Sequence, residues 1–169
     1  MAITYTVGAG DIMRPLHYDD RIIKWFPEDA AQTFEIGDLL IQGGAGLENK
    51  VKVASDNPTA AIVGVAAGAA SGTTNNLVPV WCALPHVKFI ARAVAADGLD
   101  YTDIGTARAL QAHATHTHLW VVDTTDAAND SAIVRGYRSP DGRALAEGDF
   151  EMEVIFDFKL AATIWGSET

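Results

Sequence analysis

Phe34-Glu-Ile-Gly-Asp-Leu-Leu-Ile-Gln42, Val51-Lys-Val-Ala54, Ala61-Ile-Val-Gly-Val-Ala-Ala67 and Leu77-Val-Pro-Val-Trp-Cys-Ala-Leu-Pro-His-Val-Lys-Phe-Ile-Ala-Arg-Ala93 are short apolar runs rich in β-branched residues. Gly, Asn, Asp or Pro separates them about every 8–15 residues, the pattern of consecutive strands in a barrel or sandwich. The C-terminal run Phe150-Glu-Met-Glu-Val-Ile-Phe-Asp-Phe-Lys-Leu160 is the cleanest strand signal. Phe150, Met152, Val154, Phe156, Phe158 and Leu160 fall on one face, and Glu151, Glu153, Asp157 and Lys159 on the other. A one-residue slip would bury four charges, so a single register satisfies the run.

Ala60 to Ala67 contains no polar side chain, which reads as a strand buried on both faces. Gly68 to Asn76 holds only small and polar residues and reads as a surface loop. It has neither a Gly-x-x-x-x-Gly-Lys-Ser/Thr run nor a strand-to-helix Gly-x-Gly-x-x-Gly unit, so no phosphate cradle is assigned to it. Pro79 and Pro85 cannot donate to a ladder, which places their strand at an edge or bends it there. Thr106 to Ala114 fits helical spacing and alternation about equally well. His118 to Val122 and Ala132 to Arg138 read as strands, with a polar loop from Asp123 to Asp130 between them.

A chain of 169 residues, 49% hydrophobic and 20% charged, is globular and suits one well-buried domain. Its 12 basic and 22 acidic side chains leave a charge of −10, which repels nucleic acid and anionic membranes. The N-terminus lacks a basic region followed by an apolar stretch and so does not read as a secretory signal. No run approaches the ~20 apolar residues of a membrane span. The single cysteine, Cys82, excludes an intrachain disulfide framework and reads as a buried thiol.

Residues 1–33 differ from the rest of the chain: charges alternate irregularly with isolated large side chains, and no period is sustained. The division expected is an N-terminal arm over 1–33 and a β-domain over 34–169. The arm is read either as an extended segment whose Tyr18, Trp25 and Phe26 pack on the body or on a neighbouring subunit, or as a strand and loop packed on its own domain.

Reactive constellations are weak. His113, His116 and His118 are the best metal candidates: an extended backbone would pair His116 with His118, a helical one His113 with His116. No Cys or Glu cluster nearby completes a ligand set, so no metal site is assigned. Asp123, Asp126 and Asp130 have a calcium-loop composition without the Asp-x-Asp-x-Asp-Gly order or terminal Glu. No Gly-x-Ser-x-Gly elbow occurs. The chain is therefore expected to be no enzyme, with no catalytic residue and no cofactor.

The order of Ile22-Ile-Lys-Trp-Phe-Pro-Glu-Asp-Ala-Ala-Gln-Thr-Phe34, Ile36-Gly-Asp-Leu-Leu40, Ala61-Ile-Val-Gly-Val-Ala-Ala67, Leu77-Val-Pro-Val80 and Gly148-Asp-Phe-Glu-Met-Glu-Val-Ile-Phe156 resembles the small head-decoration, or capsid cement, proteins of tailed bacteriophages. The resemblance runs from about Ile22 to Phe158. It implies a mainly-β fold, a β-barrel or β-tulip-like body with an extended N-terminal arm and little helix. It further implies a structural virion protein on the outer surface of an icosahedral capsid, often a homotrimer, bridging major capsid protein subunits. With apolar and aromatic anchors dominating such interfaces, Met13, Leu16, Tyr18, Ile22, Trp25 and Phe26 are the interface candidates. Two other readings stand beside it: another virion component such as a tail-tube or head-completion protein, and a carbohydrate-binding or host-adhesion module using Trp81, Trp120 and Tyr137.

Overall fold

A computed structural model describes residues 11–17, 21–44, 46, 49–93, 101–138 and 152–167. The fold is mainly β: β1 (Arg14–Pro15), β2 (Ile23–Pro27), β3 (Leu39–Gln42), β4 (Val51–Val53), β5 (Ile62–Ala66), β6 (Leu77–Cys82), β7 (Lys88–Ala93), β8 (Ala107–Ala112), β9 (Trp120–Asp123), β10 (Ala132–Arg138) and β11 (Glu153–Phe158), with three short 3-10 turns among the described residues.

The first sheet runs β1-β7-β11-β10-β8-β9, and β9 returns to pair in parallel with β7, so its last five strands close into a ring. Closure removes the exposed edges of those strands. β7 makes this closure by dividing one side between two partners: Phe89 and Ile90 face β1, while Arg92 and Ala93 face Val121 and Val122 of β9. Phe89, Ala91, Leu110, Trp120, Val122, Val134, Val154, Phe156 and Phe158 fill the interior as one apolar cluster. The alternation of β11 is thus realised from Met152 to Phe158. Leu160 departs from it because the chain turns into a 3-10 segment at Leu160–Ala162, leaving that side chain exposed. Phe150 and Glu151 lie outside the described residues. On the outer face Glu153 is buried under Arg138 (2.6 Å) and Arg14 (3.5 Å), so the charges are paired across strands.

The second sheet has the order β2-β6-β5-β3-β4, and a parallel bridge from Glu28 to Val51 brings the end of β2 to β4. One face encloses Phe34, Leu40, Val51, Val63, Ala66, Val78 and Val80. The opposite face contributes Leu39, Ile62, Val65 and Trp81 to the first core. β5 is accordingly buried along its whole length, as its uninterrupted apolar composition predicts. A register shift between Leu40 and Ile41 lets Ile62 and Val65, three residues apart, reach the same core.

Two alternatives left open by the sequence are resolved here. β6 is not an edge strand: it lies between β2 and β5. Pro79 is accommodated because the β5 ladder ends beside it, where Ala67 N–H donates to the Pro79 carbonyl (3.0 Å) and no reciprocal donor is required. The bend falls instead at Pro85 and His86, between β6 in one sheet and β7 in the other. Within Thr106 to Ala114 a strand forms over Ala107–Ala112, where Leu110 and Gln111 pair with Val122 and Val121 of β9.

Candidate interaction surface

β2 pairs antiparallel with β6, matching Ile23 with Trp81, Trp25 with Pro79 and Pro27 with Leu77. Residues directly opposite in a sheet share a face, so these six form one continuous apolar strip. At one end Trp81 is covered by the main core. Toward the other the cover is lost: Ile23 is 48% exposed, Trp25 61% and Leu77 60%. Ile22, just before β2, is also exposed. The strip carries no titratable or nucleophilic side chain; it is equipped to exclude water against a partner and not to move protons.

The alternate residues of β2 point the other way. Phe26 packs against the second core and meets Trp165 edge-to-face at 6.5 Å between centroids. The Lys24 ammonium lies 4.5 Å from the Trp165 ring, and the Arg21 guanidinium 5.7 Å from that of Trp81. Both cations stand at cation-π distance, Arg21 on the Trp81 end of the strip and Lys24 on the opposite face of β2.

The six residues singled out from the sequence therefore divide. Ile22 and Trp25 lie on the exposed surface. Met13 is fully buried within the core of its own chain, and Phe26 is half-buried beneath the sheet. Leu16 is half-buried, its N–H donating to the Lys88 carbonyl (2.8 Å). Tyr18 lies outside the described residues. Two described parts of residues 1–33 join the body, β1 on β7 and β2 on β6. Sequence reasoning missed Ile23, Leu77 and Pro79; Leu77 and Pro79 lie more than fifty residues from Trp25, and only their cross-strand register links them to it.

The remaining candidates occupy separate surroundings. His113 and His116 stack at 5.1 Å between centroids, and burial together with the neighbouring His116 lowers the His113 pKa. His118 takes no part in that stack and donates from Nδ1 to Asp38 (2.7 Å). Among the described residues no three His, Cys, Asp or Glu side chains converge as a metal site. Asp123 Oδ1 accepts the Thr125 and Asp126 N–H groups, Asp126 Oδ1 those of Ala128 and Asn129, and Asp130 pairs with Lys159. The Asn129 side chain, then the Ala128 and Asn129 N–H groups, hold the Asp126 carboxyl below its ordinary range. The three carboxylates are thus spent on separate turns and a salt bridge. Trp81 and Trp120 are buried and Tyr137 packs edge-to-face on Tyr101 (6.3 Å), so no shared stacking platform for a sugar is formed by them. Cys82 is buried, and burial pushes its thiol pKa up.

Comparison with family models, curated proteins and solved structures gives no match to this chain.

Proposed function

We propose that this chain is a structural virion protein that binds the outer surface of an icosahedral phage capsid and bridges major capsid protein subunits, acting as a homotrimer and without catalysis. The observation that carries this reading is the strip in which Ile23, Trp25 and Leu77 are exposed side by side across the β2–β6 pairing, with half-buried Pro79 between them. A large exposed tryptophan flanked by aliphatic side chains is the composition of an interface anchor. The order of sequence motifs from Ile22 to Phe156 supports the same assignment. The charge of −10 suits the outside of a shell better than its DNA-lined interior.

Stabilisation follows from linkage. A protein that binds the assembled, expanded lattice and not its dissociated subunits stabilises that lattice by RT ln(1 + [L]/Kd), and many copies acting together multiply a modest site affinity. Covering Trp25 and its neighbours would contribute on the order of 5 kcal/mol per copy in gross transfer energy.

The test is co-sedimentation of the purified chain with undecorated phage shells, after its mass in solution has been fixed by light scattering. Saturable binding that Trp25→Asp abolishes, with an unchanged thermal transition, is the expected result. Rings or tubes formed by the chain alone, without shell binding, would overturn it in favour of a tail or connector component.

A further inference from the structure

Asp38 stands immediately before β3 in the second sheet, and its side chain is completely buried. Its backbone carbonyl accepts Ala66 N–H of β5 (2.8 Å), seating it in that sheet. Its carboxylate reaches out of the sheet. Oδ1 accepts the Trp120 indole N–H of β9 (3.2 Å), and Oδ2 accepts both Glu35 N–H (2.8 Å) and His118 Nδ1–H (2.7 Å). One buried carboxylate, seated beside the second sheet by its backbone, therefore reaches the first through Trp120 of β9 and His118 of the turn before it.

Two of those donors never titrate. The third, His118, has a side chain 42% exposed at an open groove of about 400 Å³ that Glu35, Ile36, His116 and Thr117 also line. Protons thus reach the imidazole from solvent while its partner stays buried. The groups facing His118 are Asp38 and Glu35, both from the turn before β3, with His116 of its own turn on the same groove wall.

We propose that the Asp38–His118 contact is a pH-sensitive clamp on the joint between the two sheets, tight when the imidazole is protonated and loosened when it is neutral. A neutral imidazole with its proton on Nδ1 preserves the hydrogen bond but removes the positive charge. Asp38 is then left as a buried anion held by neutral donors alone, with the Glu35 carboxylate nearby. The hydrogen bond to Asp38, with the charges of Asp38 and Glu35, raises the His118 pKa above the ordinary 6.5 against an opposing effect of burial. A folded-state pKa above the unfolded one gives stabilisation that is complete below the unfolded value and lost as pH rises through the folded value. The clamp consequently loosens on the alkaline side of pH 6.5. This inference does not depend on the capsid-binding reading.

The test uses the full chain and His118→Asn, whose amide reproduces the Nδ1 donor without the charge. Thermal unfolding is followed from pH 6 to pH 9. The natural chain is expected to lose about 2 °C more than the variant across that interval, a small shift because the imidazole is partly solvated; parallel curves would overturn the clamp. An independent measurement on the unsubstituted chain follows the His118 ring and the Trp120 indole N–H by NMR. Both should titrate with one midpoint above 6.5. A midpoint at or below 6.5, or a Trp120 signal indifferent to His118, would overturn the proposal even if the variant failed to fold.

Discussion

A Cβ atom placed on Gly64 would lie 2.0 Å from the carbonyl oxygen of Trp81. The two backbones approach that closely where β5 passes β6 at the register shift between β3 and β5. Neither is a flexible side-chain end that could give way. Gly64→Ala should destabilise the chain by roughly 3 kcal/mol or more, read as a lower urea midpoint with an unchanged m-value. Gly68→Ala, whose new Cβ would meet the half-buried Pro79 ring at 2.8 Å, should cost less because that contact is longer and is with a ring carbon and not with a backbone carbonyl.

Asp11 and Arg92 form an ion pair, buried to all but about a tenth of each side chain, in which Arg92 Nε donates to Asp11 Oδ1 (3.0 Å). Arg92 lies on β7 where that strand meets β9, so the pair sits at the point of ring closure. Removing the acid leaves a guanidinium in a place built to neutralise it. Asp11→Ala is expected to cost about 3 kcal/mol by urea titration, and Asp11→Ala combined with Arg92→Met less than Asp11→Ala alone.

Trp25 and Phe26 are adjacent in sequence and opposite in fate. Trp25→Ser should leave stability within about 0.5 kcal/mol of the parent, because its indole is largely exposed. Phe26→Ala should cost about 2 kcal/mol through lost contact with the second core and Trp165. Thermal melts of the two variants side by side distinguish a binding anchor from a structural one. A large loss for Trp25→Ser would mean that the strip is covered within its own chain.

Cys82 offers a probe of global opening. Its thiol is buried and its pKa is raised by that burial, so the thiolate is scarce at neutral pH. Reaction with a disulfide reagent should be slow in buffer and rapid in denaturing urea. Fast stoichiometric labelling of the native chain would show that β6 opens locally.

Much of the fold was legible because it is written in local periodicity. The alternation from Met152 to Phe158 specifies a strand with one buried face whatever the rest of the chain does. The apolar run around β5 announces burial on both faces, and the two cores on either side of it bear that out. Ambiguity remained where the local signal was balanced, as in Thr106 to Ala114, which only its partners in β9 and β10 hold extended. The edge reading of Pro79 failed for a related reason. Proline reveals that a donor is missing, but where the neighbouring ladder stops is a property of the neighbour.

The exposed strip was half legible. Trp25 and Ile22 stand out as large apolar residues in a charged segment, and so do Met13 and Phe26, yet exposure separates them. The side on which a residue of a short strand falls depends on what covers each face. That cover comes from β6 and Trp165, far along the chain.

The order of apolar residues was enough to establish that this protein is built of strands, where most of them run, and which face of β11 carries the charges. Burial of every second side chain is a short-range requirement that a sequence states directly. Three-dimensional packing alone returns β9 beside β7 to close a ring, makes Leu77 extend the surface begun by Trp25, and brings Asp38 to His118 across 80 residues. Each of these joins distant segments through the combined packing of two cores, and such a choice is made by the whole set of contacts and by no single stretch of chain.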